Sequence, residues 1–270
     1  MPEGPEIRRA ADRVAEVVTE QTLSEVTFAF EHLKRFEAPL RDAGVERVDT
    51  HGKAMLTRFR NGLVIYSHNQ LYGRWMIRKD GKLPKTGRSL RLALRAGKKG
   101  AFLYSASAIA VLESDALATY PPLSRLGPDP LHRGVGAARI QRAFDERTRA
   151  QLGALLLDQS VVAGIGNYLR SEILFAAGLL PHHRPGELSE GLRRVLAAET
   201  LALTRRAYET GGITTSAAYV RESKARGLPR RAYRHYVFGR AGQRCVRCER
   251  KIQRTEVAGR RLYFCGGCQR

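Results

Sequence analysis

The sequence contains no apolar run of about 18 residues or more, the length a helix needs to span a bilayer, so no transmembrane segment is expected. Its first residues lack the basic-then-apolar pattern of an export signal, which points to a cytoplasmic protein. Cysteine is scarce, with four in 270 residues, all in the final tenth of the chain. A disulfide framework spread over the fold is thereby excluded. Internal repeats and low-complexity tracts are missing, which excludes solenoid and fibrous classes. Acidic residues are also in deficit, at 26 Asp+Glu against 47 Lys+Arg. What remains is 43% hydrophobic, enough to bury the core of one large or two ordinary domains.

The charge that this deficit leaves, +21, is unevenly placed. Residues 1–120 hold 20 basic and 14 acidic residues, and residues 121–270 hold 27 and 12. The last fifty residues hold 15 and 3, a net of +12. A bias of the whole proteome toward arginine would not concentrate at one end. The pattern points to a polyanion, with nucleic acid first and an anionic membrane surface second.

Taken in order, the chain opens MPEGPEIRRA. Pro5 suits a first helical position, and Ile7, Ala10 or Ala11, Val14 and Val17 or Val18 predict one buried helical face over about residues 5–20. Short strands are expected next, at 26–30, 55–60, 63–68, 71–77, 89–95, 101–105 and 108–112. Asn61-Gly62 reads as a two-residue hairpin turn and Gly97-Lys98-Lys99-Gly100 as another hairpin tip. Seven strands after one helix predict a β-sandwich with that helix packed on it. The Pro- and Gly-rich stretch 120–136 is the candidate linker. Helices are expected over 138–147, 151–159, 167–178 and 189–210, with Gly178 as a C-cap. Residues 213–234 are basic without a period and read as a mobile loop.

The strongest chemical signal is Cys245, Cys248, Cys265 and Cys268, two C-x2-C pairs separated by sixteen residues. That spacing predicts a four-thiolate zinc site, structural because no coordination position is left open. The competing reading is two structural disulfides. Between the pairs, residues 255–264 read as a hairpin with Gly259-Arg260-Arg261 at its tip, where an Arg is either solvated or placed to fork onto a phosphate. GIGN (164–167) reads as a helix joint or as an anion site at a helix N-terminus, with Asn167 as the N-cap. Lys53, beside Gly52 at a strand entry, is either a surface residue or one that reaches a phosphate or a reacting centre. Gln70, Leu71 and Tyr72 lie at a strand junction, as a buried strand start or as side chains that enter a base stack. Pro2 and Glu3 put an amine and a carboxylate beside a helix start once Met1 is trimmed; the alternative is a frayed terminus.

These pieces occur together: PEGPEI, HGKAML, YSHNQLYG, GIGNYLRSEIL and a four-cysteine ribbon with Gly-Arg at its hairpin. The set resembles the bacterial formamidopyrimidine-DNA glycosylase/endonuclease VIII family over the full length, closest to the endonuclease VIII branch. The resemblance implies a multi-domain α+β fold. An N-terminal helix on a β-sandwich (1–119) is followed by a linker (120–136), a helix-two-turn-helix domain (137–234) and a zinc finger (235–270), with DNA across the cleft between domains. It implies Pro2 as nucleophile, Glu3 and Lys53 as its catalytic partners, and Asn167 and Arg260 as a phosphate clamp. Gln70, Leu71 and Tyr72 would fill the gap left by a flipped base, and Glu6 and Glu172 would be acidic positions near the active site. PEGPEI and the contiguous Gln-Leu-Tyr favour oxidised pyrimidines in duplex DNA, on a monomer with one structural Zn²⁺, no organic cofactor and no membrane partner. The ribbon departs from the usual pattern at Arg261, which leaves it as a possible substitute for Arg260. Two alternatives remain: the same chemistry on 8-oxoguanine or formamidopyrimidine, and a non-catalytic binder of damaged or structured nucleic acid.

Overall fold

The structure is a computed structural model that describes residues 2–270; the expected trimming of Met1 lies outside the described residues. The chain divides into two compact units, Met1–Arg125 and Leu126–Arg270. The first begins with helix α1 (Gly4–Val18), one residue earlier than the proline suggested, so that Pro5 occupies the second helical position. Its apolar stripe, Ile7, Ala11, Val14, Val17 and Val18, is buried.

After β1 (Leu23–Phe28) and α2 (Glu37–Ala43), the chain forms β2 (Val45–His51), β3 (Ala54–Phe59), β4 (Leu63–His68), β5 (Arg74–Arg78), β6 (Leu90–Ala96), β7 (Lys99–Tyr104) and β8 (Ala108–Glu113). They make two four-stranded antiparallel sheets, ordered β1-β6-β7-β5 and β2-β3-β4-β8. One core joins both sheets to α1: Phe28, Leu92, Leu94 and Leu103 from the first, Met55, Phe59 and Ile65 from the second, and Val14 and Val18 from the helix. The expected sandwich is therefore present, with eight strands rather than seven. The extra strand is β2, whose charged sequence VERVDTH carries its apolar face on Val45 and Val48 alone. Two local expectations change. The Asn61-Gly62 turn is longer, running from Phe59 to Gly62 with the Gly62 N–H donating to the Phe59 carbonyl at 3.1 Å. Leu71 and Tyr72 precede β5 and stand on a turn.

The second unit starts in the proline-rich stretch, whose only helix is the short α3 (Pro121–Ser124) before its boundary. This stretch is pinned: Gly127 N–H donates to the Gln159 carbonyl and Ala163 N–H to the Pro128 carbonyl. Helices α4 (Ala137–Asp145), α5 (Leu152–Leu155), α6 (Asn167–Ala177) and α7 (Glu190–Thr210) follow. They share a core built on Phe144, Leu155, Ile173, Leu196 and Leu203. The helix expected over 151–159 stops at Leu155, because Asp158 and Gln159 turn the backbone through their own side chains. Residues 213–234 are not a structureless loop. They contain α8 (Ala217–Ala225), capped by Ser216, and α9 (Arg230–Tyr233). The segment is closed at its ends by Thr214 N–H to the Arg234 carbonyl and the Thr215 hydroxyl to the Tyr233 carbonyl. Its periodicity is invisible in sequence because it is held by these polar ties and by Ser223, not by an apolar stripe.

The chain ends in a ribbon, β9 (Gln253–Val257) and β10 (Arg260–Phe264). It packs on α6: Leu262 enters the helical core, and Phe175 joins Val237, Cys245, Ile252 and Cys265. No helix among the described residues is long and apolar enough to cross a membrane.

Candidate active site and nucleic-acid interface

In the first unit, Glu3 is the N-cap of α1 and is only 3% exposed. Its backbone N–H donates to the Glu6 carboxylate at 3.1 Å, so Glu6 works as the return half of a cap on the helix start. Lys53 is at the tip of the β2-β3 hairpin, where His51 pairs with Ala54 across a two-residue turn. Gly52, at φ +60°, supplies the left-handed first position that such a turn requires. A lysine at a hairpin tip is ordinarily solvated, yet Lys53 is 8% exposed. His68, at the end of β4, pairs in register with Ala54, the residue after Lys53. Burial lowers the His68 pKa, and the nearby Lys53 charge lowers it further.

Directly after His68, Asn69 to Gly73 form a tight turn closed by the Gly73 N–H on the Asn69 carbonyl at 2.7 Å. Gln70, Leu71 and Tyr72 occupy it. Leu71 and Tyr72 are 64% and 71% exposed, the most exposed large apolar side chains among the described residues. They are a surface feature, not a buried strand start.

In the second unit, the residue preceding α6 is Gly166, which takes the N-cap; Asn167 is the first helical residue, one position later than expected. Its side chain is therefore released from capping, and its Oδ1 accepts from Arg170 Nη2 at 2.6 Å. The turn before it is organised by Gln159, whose Oε1 accepts from Gly164 N–H and whose Nε2 donates to the Ile165 carbonyl. At the ribbon, Val257 pairs with Arg260, so the two-residue tip is Ala258-Gly259 and Arg260 begins β10. Ala258 sits at φ +53°, a left-handed conformation that costs a non-glycine residue about 1 kcal/mol. Strand alternation puts Arg260 on the face of buried Leu262 and Arg261 on the opposite face.

Arg170 joins these two places. It is fully buried, and its Nη1 donates to the carbonyls of Gly153 (2.7 Å) and Val257 (3.2 Å). Its Nη2 donates to Asn167 and to the carbonyls of Arg260 (3.2 Å) and Arg261 (3.3 Å). One guanidinium thus ties the start of α6 to the hairpin tip. Sequence reasoning missed it. The available signal was a cation inside the apolar face of a helix, three residues after Asn167.

Glu172 follows Arg170 by two residues on α6. It is fully buried inside the second unit, and its carboxylate accepts from the backbone N–H groups of Tyr236, Val237 and Phe238 at 2.8–2.9 Å and from the Thr214 hydroxyl at 2.6 Å. Burial pushes its pKa up against the pull of those donors. The Thr214 hydroxyl also lies 3.1 Å from His235 Nδ1, and burial holds that imidazole neutral with its pKa lowered to about 3. Glu172 is a structural anchor for the segment that leads into the ribbon.

The four cysteine sulfurs lie within 4.8 Å of one another, with Cys245 3.8 Å from Cys268 and Cys248 3.3 Å from Cys265. No disulfide joins them. Among the described residues this is the one cluster able to share a metal ion, and four soft donors in so small a space fit a tetrahedral thiolate site.

A helix-backed sandwich, a helix-two-turn-helix unit and a four-cysteine ribbon are together the architecture of a DNA glycosylase. The chain belongs to the formamidopyrimidine-DNA glycosylase/endonuclease VIII family: residues 1–105 match the formamidopyrimidine-DNA glycosylase N-terminal domain and 126–218 its H2TH domain. Within it, the chain is 42% identical to Endonuclease 8 of Salmonella schwarzengrund and 43% identical to Endonuclease 8 of Pectobacterium carotovorum, each over 100% of both chains. Its fold is similar to that of Lactococcus lactis Fpg in complex with DNA containing an abasic site, with a TM-score of 0.81, 19% identity and 99% of each chain covered. It is equally similar to that of MutM in complex with DNA containing carbocyclic 8-oxo-G, at a TM-score of 0.81 and 19% identity over 100% of each chain.

Proposed function

We propose that the chain is a base-excision-repair DNA glycosylase and abasic-site lyase that removes oxidised pyrimidines from duplex DNA. The observation that carries this reading is the full-length identity to Endonuclease 8 together with the contiguous Gln70-Leu71-Tyr72 at an exposed turn.

A base inside a duplex is out of reach, so the target nucleotide must leave the stack. Leu71 and Tyr72 fill the gap, with Gln70 beside them. Asn167 and Arg260 hold the phosphates around the lesion, and the shared face of Arg260 and Leu262 favours Arg260 over Arg261 for this task. The Pro2 amine, freed by removal of Met1, attacks C1′ of the sugar as the base departs. An α-amino group has a pKa near 8, so an appreciable share is neutral at pH 7, whereas a lysine near 10.4 is almost wholly protonated. Being secondary, the amine forms an iminium. Glu3 moves protons as the ring opens, and Lys53 stabilises developing negative charge. The iminium acidifies C2′; loss of that proton expels the 3′ phosphate, and a second elimination expels the 5′ phosphate. The product is a one-nucleotide gap with phosphate at both ends. Cys245, Cys248, Cys265 and Cys268 would hold one structural Zn²⁺, which when bound stiffens the ribbon that carries Arg260. The proposed setting is the bacterial cytoplasm, on nucleoid DNA, as a monomer.

The test is incubation with duplex containing thymine glycol or 8-oxoguanine, in parallel, with borohydride added to an abasic duplex. The expectation is a gap at thymine glycol at a faster single-turnover rate than at 8-oxoguanine, and a covalent adduct lost in Pro2→Gly. Faster cleavage at 8-oxoguanine overturns the substrate assignment. Binding without cleavage or trapping favours a non-catalytic module.

A further inference from the structure

The turn that presents Leu71 and Tyr72 is held from outside itself. Gln70 sits at φ +51°, in the left-handed region that an L-residue enters only at a steric cost. Two contacts offset that cost. The Gln70 backbone N–H donates to His68 Nδ1 at 3.0 Å, and the Gln70 Oε1 accepts from the Ser107 hydroxyl. At the other end, Arg88 Nη1 donates to the Tyr72 carbonyl at 2.7 Å. The base of the turn leaves no slack. A Cβ on Gly73 would fall 2.4 Å from the Asn69 carbonyl oxygen and 2.6 Å from its Cα, so only glycine closes it. Asn69 and Gly73 are buried while the apex is in solvent.

We propose that His68, Ser107 and Arg88 are positioning residues that prebuild the Gln70-Leu71-Tyr72 turn as a rigid wedge for the base stack. The proposal rests on the reading of that triad as the void filler. Its logic is entropic. A loop of five residues ordered only on contact with DNA would lose its backbone freedom at that step. A turn already ordered in the free protein has met that cost during folding. The three residues come from separate places: His68 from the end of β4, Ser107 from the residue before β8, and Arg88 from the approach to β6. His68 can accept from Gln70 only while Nδ1 keeps its lone pair. Burial and the Lys53 charge favour that neutral ring, with its proton on Nε2. His68 also pairs with Ala54 beside Lys53 and with Ala108 beside Ser107, so it links the wedge to the lysine hairpin.

A void exists only in a duplex, and this separates positioning from general damage to the protein. Single-turnover cleavage of an abasic-site oligonucleotide, as duplex and as single strand, is measured for His68→Leu, Ser107→Ala and Arg88→Met. The expected loss is about three- to tenfold on the duplex for each, the range of one hydrogen bond, with single-strand rates within twofold of the unaltered chain. His68→Asn should recover most of the duplex rate, because an Asn oxygen accepts from the N–H two residues on in the same way. Equal losses on both substrates, or an unchanged duplex rate, overturn the proposal. Leu71→Ala is run beside them. If it leaves the duplex rate unchanged, the void-filler reading itself fails. If Leu71→Ala slows the duplex and the three variants do not, only the positioning role fails.

Discussion

Arg170 and Glu172, two residues apart on α6, are opposite charges buried to the same degree, and each is matched by an unusual number of backbone groups. Arg170 gathers carbonyls and Glu172 gathers N–H groups, so each fastens a different length of the C-terminal segment to one helix. A buried group that loses such partners leaves them unsatisfied at about 1–3 kcal/mol each. Glu172→Gln puts an NH2 against backbone N–H groups that now donate to the carboxylate. A loss of about 2–4 kcal/mol in unfolding free energy is expected, read as a lowered urea midpoint with an unchanged m-value. Arg170→Lys keeps the charge but offers a point instead of a fork. It cannot serve Gly153 and Val257 on one side and Asn167, Arg260 and Arg261 on the other. We expect weaker binding to an abasic-site duplex by about tenfold or more, with the α6-α7 helix content retained in circular dichroism. Binding as tight as that of the unaltered chain would show that Asn167 and Arg260 do not depend on Arg170.

At the scale of elements, the decisive pieces are hairpin tips and turns. The β2-β3 tip carries Lys53, the turn before β5 carries Leu71 and Tyr72, and the β9-β10 tip precedes Arg260. Short turns between paired strands hold a side chain with little freedom, which suits chemistry that needs fixed distances. The ribbon is the most dependent element. Its own core is small, built on Phe175, Val237 and Ile252 around the cysteines, and a metal-free ribbon of that size is not expected to hold. Chelation should therefore release residues 245–268 to hydrogen exchange while α4, α6 and α7, whose core is built mainly on helical residues such as Phe144, Ile173, Leu196 and Leu203, keep more of their protection. If exchange across the ribbon is the same before and after metal removal, the structural role of the ion is wrong. DNA binding should fall in parallel, because the phosphate contact proposed for Arg260 goes with the ribbon.

Across the whole molecule, the +21 charge acts as a field more than as a set of contacts. It should give sequence-independent affinity whose logarithm falls by about 0.9 per neutralised phosphate for each tenfold rise in salt. Arg260→Ala is expected to weaken binding on every duplex and to reduce that slope by about 1, whereas Arg261→Ala, on the other face of β10, should leave the slope nearer its original value. A slope unchanged in Arg260→Ala and reduced in Arg261→Ala would reverse the assignment between them.

Local pattern determined a good deal here. The stripe on α1, the strand segments of β3 and β4, the glycine that ends α6 and the cysteine spacing each depend on neighbours a few residues away, and all are legible in the chain. Motifs also named Lys53 and the Gln70-Leu71-Tyr72 stretch, without saying whether either was buried or exposed. Tertiary structure decided that, because burial depends on what the rest of the chain packs over a site: Lys53 proved enclosed and Leu71 and Tyr72 open. It also decided the roles of the charged residues. The resemblance implies that Glu172 is an acid near the active site, and the fold supplies its donors from Thr214 and residues 236–238, more than forty positions away. Arg170 finds its carbonyls on Gly153, Val257, Arg260 and Arg261, and the helices in 213–234 are held by ties that close only when Thr214 meets Arg234. Hydrogen bonds of this kind have no period along the chain, so only the folded backbone, by bringing distant polar groups to within about 3 Å, could reveal them.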